Sequence, residues 1–380
     1  MVNTMLKTLK NSLSRYVTNS GGWSTRKNIV VFESDDWGSI RMPSKTVYQQ
    51  CLKAGYPVDQ IAYERYDSLA GETDLELLFE LLAEHRDSRG KPAVFTANVL
   101  VANPDFEKIA ESDFREYHYE LVTDTFARYP QHANCFSLWK DGRKKGVFYP
   151  QSHGREHLNV AEFMQALQKN DPDARFGFAH RMPGSIPRGT AGRGNRYVEA
   201  LRYTDPEDKT EKKQIVLEGL DLFHRLLGYR SLSFIAPNHI WSPDFDEAVA
   251  AKGVRFYQGR KKMKEPLFDG GYRINKYHLG QTNSFNQYYL VRNATFEPAL
   301  QKESTDPVDR CLKDIQIAFR CNKPAVISTH RLNYVGFIDE RNRDKNLNLL
   351  RKLLKTIVHT WPDVEFLTSV ELGNMVAESN

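Results

Sequence analysis

The 380-residue sequence has few cysteines and no long apolar run, and both shortages exclude classes of protein. Its four cysteines, Cys51, Cys135, Cys311 and Cys321, are scattered without CxxC pairs, which argues against a disulfide framework and against a zinc site made of thiolates. No apolar stretch is long enough for a transmembrane helix, and the N-terminus lacks the apolar core and cleavage site of a secretory signal. We therefore expect reduced thiols and a cytoplasmic protein.

A strong excess of one charge is also absent. The 53 Lys and Arg residues stand against 48 Asp and Glu residues, which leaves a formal net charge of +5. This is far less than a dedicated nucleic-acid-binding protein needs, so no nucleic-acid partner is expected. The sequence has no internal repeat and no low-complexity tract, and its 40% of hydrophobic residues can form a large core.

Short apolar segments alternate with helical patterns along most of the chain. Each of these segments has the composition of a strand buried on both faces, and they are residues 28–34, 93–99, 146–152, 175–180, 232–237, 254–258, 325–330 and 364–368. Strands that alternate with helices pair in parallel through crossover connections. About eight such units predict an α/β fold, a complete or distorted (β/α) barrel, with residues 28–375 as a single domain.

Three segments do not follow this alternation. Residues 181–212, rich in Gly, Pro and Arg, predict a loop insertion. Residues 259–300 predict a second insertion, in which the aromatic alternation of residues 272–296 indicates an antiparallel hairpin. Residues 1–27 combine a basic character with apolar residues at helical spacing. That pattern fits a helix packed on the domain or peripheral contact with the inner face of a membrane.

Carboxylates directly follow the first predicted strand. In the segment VFESDDWGSI, residues 31–40, the acids Glu33, Asp35 and Asp36 occur within four positions. Active sites of parallel barrels form at the carboxyl ends of the strands, and carboxylates this crowded need a cation or a shared proton. The alternative is an N-cap aspartate beside solvated acids.

Histidines follow two later strands. His153 and His157 in QSHGREHLN would point to one side if they lay in one helical turn, and could then ligate one metal. His330 ends the segment AVISTH, where an imidazole can act as a general acid or base. A chance helix face or a core histidine would explain either motif alone. Their common position after strands predicts that the fold brings them to one rim.

The order of these motifs resembles that of polysaccharide deacetylases of the carbohydrate esterase family 4 type, over residues 28–373. The resemblance implies that Asp35 is the catalytic base and His330 the general acid. It implies that Asp36, His153 and His157 hold a divalent metal, in the first place zinc. The implied reaction removes an N-acetyl group from an amino sugar in a polysaccharide, an oligosaccharide or a precursor.

The sequence departs from this family at two positions that support proton transfer. The family's arginine beside the base would fall near Ala236, and its aspartate beside the late histidine would fall at Gly259 or Arg260. Other side chains are therefore expected to support the site or bind substrate, and the candidates are Glu33, Arg41, Arg181, His239, Trp241 and Arg331. Three arginines of the first insertion are further candidates for binding a phosphate or an acidic sugar, unless they are simply solvated, namely Arg188, Arg193 and Arg196.

Two other functions stay open. One is a barrel that binds glycans without turnover, although the presence of both Asp35 and His330 speaks against it. The other is a related hydrolase that cuts a formamide, an O-ester or a glycosidic bond. A glycosidase would use two carboxylates without a metal, for which Glu33 and Asp35 are the candidates. Metal content distinguishes these functions from the deacetylase.

Overall fold

The computed structural model describes residues 14–184, 197–301 and 305–379. Its strands are β1 (Ile29–Trp37), β2 (Phe95–Val99), β3 (Ala102–Pro104), β4 (Tyr119–Leu121), β5 (Phe148–Ser152), β6 (Ser233–Ile235), β7 (Phe256–Gly259), β8 (Lys262–Pro266), β9 (Tyr272–Lys276), β10 (Tyr288–Val291), β11 (Ala294–Thr295), β12 (Ala325–His330) and β13 (Glu365–Phe366).

Helices alternate with these strands. They are α1 (Lys45–Lys53), α2 (Ala62–Tyr66), α3 (Glu72–Glu84), α4 (Phe106–Glu111), α5 (Val122–Ala127), α6 (Cys135–Lys144), α7 (Val160–Gln168), α8 (Pro172–Ala179), α9 (Pro206–Leu227), α10 (Asp246–Ala251), α11 (Pro307–Arg320), α12 (Glu340–Thr360) and α13 (Ser369–Glu378).

The main sheet is parallel and has β1 near its centre. Its strand order is β10-β7-β6-β5-β2-β1-β12-β11, and β13 also pairs with β1. The register of β1 and β12 sets Asp35 opposite His330. Because parallel strands end at the same edge, residues that follow β1, β5 and β12 come together. The predicted α/β class is confirmed.

Two neighbouring residues bring the two edges of this sheet together. β10 pairs with β7 at one edge and β11 pairs with β12 at the other, yet only Arg292 and Asn293 separate β10 from β11. The Arg292 N–H donates to the Gly259 carbonyl at 2.8 Å, and the Asn293 N–H donates to the Val326 carbonyl at 3.1 Å. The sheet is therefore curved into a distorted (β/α) barrel, as predicted, with one segment joining its edges.

Apolar residues fill both faces of the sheet. The first four residues of β1 are fully buried, and α12 covers the sheet with Leu350, Leu354 and Ile357, which recur at spacings of four and three and are fully buried. Truncating one such leucine to alanine typically costs about 2–5 kcal/mol. All four cysteines are free thiols, as predicted.

Residues 175–180, predicted as a strand, belong mostly to α8. Asp171 caps this helix by accepting hydrogen bonds from two N–H groups of the first turn, and Pro172 occupies the first helical position. Both residues are strong signals for a helix start. The strand prediction is wrong because this cap outweighs the short apolar alternation that follows it.

The antiparallel hairpin consists of β8 and β9 and lies earlier than the predicted residues 272–296. The later part of that segment, β10 and β11, instead joins the parallel sheet. Tyr277 and Tyr289 explain the difference, because their rings stack at 3.9 Å between centroids and both are buried. The aromatic alternation therefore reflects core packing. The division into one domain with two insertions stays a prediction.

The N-terminal segment contacts the barrel where the structure describes it. Residues 14–18 are helical, and Arg15 forms an ion pair with Asp314 at 2.6 Å. Most of the apolar residues at helical spacing fall within residues 1–13, outside the described part of the chain, so membrane contact stays a prediction. Among the described residues, no helix combines the length and the apolar character needed to cross a bilayer.

Candidate active site

A β-bulge at the end of β1 directs two adjacent carboxylates into one cavity. From Ser34 to Trp37, β1 advances by one residue more than its partner β2, which defines a bulge. Within it, Asp36 adopts a left-handed backbone with a φ of 73°. The side-chain alternation of a regular strand, which would set Asp35 and Asp36 on opposite faces, ends here. Both line a cavity of about 400 Å³.

Glycine is required directly after this bulge. Gly38 has a φ of +90°, and a Cβ atom at this position would lie 2.5 Å from the Leu100 carbonyl oxygen. The Leu100 N–H donates to the Trp37 carbonyl at 2.7 Å. The end of β1 is thus packed tightly on the loop after β2, which holds the two carboxylates in place.

Asp36 lies against two histidines from the loop after β5. The Nε2 atoms of His153 and His157 are 3.3 Å and 3.8 Å from Asp36 Oδ1, and the three ligand atoms lie within 4.8 Å of one another. Residues 153–157 are not helical, so the predicted helical turn is wrong. Instead, Gly154 turns the chain with a φ of +109°, and the two rings approach to 5.3 Å between centroids.

The chemistry of these three side chains fits a divalent cation. His153 Nδ1 lies 2.9 Å from the Ile235 carbonyl oxygen, which only accepts hydrogen bonds, so Nδ1 carries a proton and Nε2 is the ring nitrogen that faces Asp36. Burial lowers the pKa of His157 to about 3, and this imidazole is therefore neutral. Two imidazoles and one carboxylate that converge on one point form a typical zinc ligand set with open positions.

Asp35 is held by an arginine that the sequence did not suggest. Arg292 donates from Nη1 to Asp35 Oδ2 at 2.6 Å and from Nη2 to Oδ1 at 2.7 Å, and Asn98 donates to Oδ1 at 2.7 Å. Burial raises the pKa of Asp35, but the charge and hydrogen bonds of Arg292 outweigh it and hold this pKa well below its usual range. Asp35 is thus ionised and has a fixed orientation.

His330 is oriented by a second unexpected residue, Glu297. His330 Nδ1 lies 2.5 Å from Glu297 Oε1, and Nε2 lies 3.7 Å from Asp35 Oδ2. The other Glu297 oxygen accepts a hydrogen bond from Asn333 at 2.7 Å. Burial lowers the pKa of His330, but the nearby carboxylates, Glu297 above all, raise it to about 9. The imidazole is therefore protonated at neutral pH.

Two of the other predicted residues, Arg41 and His239, line the same cavity. Arg41 lies 3.7 Å from Asp36 Oδ2 and donates to Asp67 at 3.1 Å. His239 and its neighbour Asn238 both have left-handed backbones, with φ of 56° and 54°. Burial lowers the pKa of His239 well below its usual value, which keeps this ring neutral.

Glu33 and Arg331 support the site without lining the cavity. Glu33 is fully buried, accepts from Arg292 Nε at 2.5 Å and accepts from the Ser369 hydroxyl at 2.8 Å. Arg331 is also fully buried and donates to Asp67 at 3.0 Å. Both residues therefore act on the positions of other charged side chains.

Two further predicted residues, Arg181 and Trp241, do not line the cavity. Arg181 pairs with Glu107 on the surface at 2.7 Å, and the buried Trp241 donates to Asp246 at 2.8 Å. The arginines at 188, 193 and 196 lie outside the described residues.

A signal for the two missed residues was present in the sequence. Arg292 directly follows β10, and Glu297 lies two residues after β11. Polar residues at the ends of parallel strands are the same signal that identified Asp35 and His330. The hairpin prediction concealed it, because strands of a hairpin do not end at a common edge.

Comparisons with known proteins find a similar fold. No protein-family model and no curated protein matches the sequence. A candidate glycoside hydrolase/deacetylase from Parabacteroides distasonis matches with a TM-score of 0.51 and 9% identity, over 95% of this chain and 74% of that one. A candidate polysaccharide deacetylase from Mycobacterium smegmatis gives 0.45 and 10%, over 94% and 93%, and an allantoinase gives 0.47 and 11%, over 93% and 91%.

These similarities concern the fold alone. The chain has the α/β fold of that glycoside hydrolase/deacetylase structure. Fold and site together define a distorted (β/α) barrel with a candidate mononuclear metal centre at the carboxyl ends of its strands.

Proposed function

We propose that this protein is a metal-dependent hydrolase that removes an N-acetyl group from an amino sugar in a polysaccharide, an oligosaccharide or a precursor. The observation that carries the proposal is the meeting of two groups of side chains in one cavity. Asp36, His153 and His157 offer three metal ligands, and Asp35 and His330 line the same cavity. Amide hydrolysis needs both an electrophile and paired proton transfer.

Asp36, His153 and His157 would hold the cation, for which zinc is the first candidate. When bound, a divalent cation of this kind polarises a water molecule and the amide carbonyl. The single carboxylate and two imidazoles leave coordination positions open, as in catalytic rather than structural zinc sites.

Asp35 and His330 divide the proton transfers between them. Asp35 is ionised, and we propose that it accepts the proton of the attacking water. Its ties to Arg292 reduce its basicity but fix the direction of the carboxylate, which favours transfer from one site. His330 is protonated, with Nδ1 bonded to Glu297, and is proposed to donate a proton to the departing amine nitrogen.

The surroundings of Glu33 disfavour the glycosidase alternative. That reaction would need Glu33 and Asp35 to face one glycosidic bond as a pair of carboxyl groups. Glu33 has no exposed surface, and both carboxylates are bound to the same arginine. Glu33 therefore cannot contact a substrate.

Metal content and acetate release test this proposal together. Purified protein should contain about one equivalent of zinc or a similar metal and release acetate from an N-acetylglucosamine oligomer. The double variant His153→Ala, His157→Ala should lose the metal and the activity, whereas the surface variant His118→Ala should keep both. Wild-type protein that takes up no metal after incubation with zinc would refute the mechanism and favour a glycan-binding barrel.

A further inference from the structure

A buried glutamate outside the proposed reaction machinery also faces the cavity. Glu64 belongs to α2, lines the cavity beside Asp36 and His330, and is only 2% exposed. This helix lies between β1 and α3 in sequence and is not part of any motif that identified the site. The candidate metal ligands Asp36, His153 and His157 line the same cavity.

One oxygen of the Glu64 carboxyl group has no hydrogen-bond partner. This Oε2 atom is buried. Arg41 is near, but its guanidinium donates to Asp67 at 3.1 Å and lies 3.7 Å from Asp36. Arg331 also binds Asp67. Both guanidinium groups therefore form their close ion pairs with other acids and not with Glu64.

Asp74 shows how the same fold treats a buried carboxylate with a structural role. Asp74 is 4% exposed and has three partners: it accepts from the Gly71 N–H at 2.9 Å, from the Gly336 N–H at 3.1 Å and from Arg343 at 3.1 Å. Buried polar groups in proteins are normally satisfied in this way, since an unpaired one lowers stability. Glu64 differs from Asp74 because its Oε2 atom has no such partner. Burial raises the pKa of Glu64 to about 7.

The charges around the cavity restrict what could pair with Glu64. The acids Asp35 and Asp36 line the cavity, but Asp35 is bound to Arg292 and Asp36 belongs to the candidate metal site. Arg41, Arg260, Lys264 and the protonated His330 also line it, so a second cation beside the metal is disfavoured. An anionic group would be repelled by Glu64 itself whenever it is ionised. The remaining partner is a neutral hydrogen-bond donor, and hydroxyl and amide N–H groups are the donors that an N-acetylated sugar carries.

We propose that Glu64 is a substrate-binding residue that accepts a hydrogen bond from a hydroxyl or amide N–H group of the sugar. This inference rests on the proposed deacetylase function and adds a specificity contact to it. Glu64 contributes binding and selection, while the proton transfers stay with Asp35 and His330. The residue lowers the stability of the empty protein and recovers that loss when substrate enters.

The test compares Glu64→Met with Asp74→Asn, using zinc-loaded protein and an N-acetylglucosamine oligomer. Glu64→Met should unfold at a higher temperature than wild type, keep its zinc, and raise KM by about tenfold or more, the loss of one hydrogen bond to a charged group. Asp74→Asn should do the reverse, with a lower unfolding temperature and an unchanged KM. Glu64→Gln, which keeps an acceptor oxygen, should fall between wild type and Glu64→Met in KM.

The outcomes separate this inference from the proposed function. An unchanged KM in Glu64→Met, or an unfolding temperature equal to or below that of wild type, would overturn the role of Glu64. If wild-type protein releases no acetate, the proposed function fails for this substrate, and thermal shifts with the oligomer decide the inference. An increase in unfolding temperature with the oligomer that occurs in wild type but not in Glu64→Met supports the role of Glu64. Equal increases in the two proteins refute it. If neither protein shifts, the oligomer does not bind, and the inference is refuted for an N-acetylglucosamine ligand.

Discussion

Asp35 and Asp36 are neighbours in the sequence and equally buried, yet their surroundings are opposite. Asp35 accepts three hydrogen bonds, two from Arg292 and one from Asn98. Asp36 faces the ring nitrogens of His153 and His157 instead. The protein itself satisfies the first carboxylate, whereas the second is arranged for a cation. The bulge thus places a carboxylate bound by protein donors next to a carboxylate arranged as a metal ligand.

The comparison extends to the partners of the two carboxylates. On the Asp35 side, each functional group is bound to an opposite charge: Asp35 to Arg292, and His330 to Glu297. On the Asp36 side, two imidazoles face the carboxylate through their Nε2 atoms. Substitutions on the first side should therefore change orientation, stability and pKa, and those on the second should change metal binding.

Arg292→Met should break the Asp35 side most severely. It leaves Glu33 and Asp35 buried without their cation, and removing one partner of a buried pair costs about 3–5 kcal/mol. Urea-induced unfolding would measure this loss in the free energy of unfolding. Adding Glu33→Gln and Asp35→Asn to Arg292→Met should recover much of it. A single variant as stable as wild type would show that the network does not hold the site.

Asp35→Asn sharpens the distinction between the neighbouring acids. The variant should keep its metal, because Asp36 and the histidines are unchanged, but lose about 10²-fold or more in kcat, the usual contribution of a general base. Acetate release together with elemental analysis measures both effects. The matched control is Glu33→Gln, which alters the same arginine from outside the cavity and should reduce kcat much less. Full turnover by Asp35→Asn would remove Asp35 from the mechanism.

Glu297→Gln should move the pH profile of kcat/KM. Glu297 raises the pKa of His330 to about 9 against the lowering effect of burial, so its neutralisation lowers that pKa. The protonated imidazole is then lost at lower pH, and activity should fall earlier as the pH rises while it persists on the acidic side. The exposed Glu340→Gln is the control and should leave the profile unchanged. An alkaline limb at the wild-type pH would contradict the role of Glu297.

One rule about strand ends identified most of the site from the sequence. Asp35, His153 and His330 each come at or directly after the end of a short apolar strand, and the parallel sheet brings such ends together. Arg292 and Glu297 obey the same rule but were missed, because buried tyrosines around them imitated a hairpin. Arg181 was a candidate replacement for the family's missing supporting residues, but it follows the helix α8 and pairs with Glu107 on the surface.

Other features depend on contacts that a single sequence does not display. The bulge in β1 is defined by its pairing with β2, so strand alternation alone could not show that both carboxylates enter one cavity. Glu64 reaches the cavity from a short helix with no strand before it. Its unpaired oxygen is visible only in the structure, where Arg41 donates to Asp67 instead.

The segment that joins the two edges of the barrel also carries Arg292, and this links the integrity of the fold to the state of the base. If the barrel opens between β10 and β11, Arg292 no longer holds Asp35. The Asp35 carboxylate then has no fixed orientation. Such a molecule would not turn over substrate, even with its three metal ligands unchanged. Turnover would then require an intact connection between the two edges of the barrel. Cleavage of the chain between β10 and β11 would abolish activity and leave the metal ligands in place.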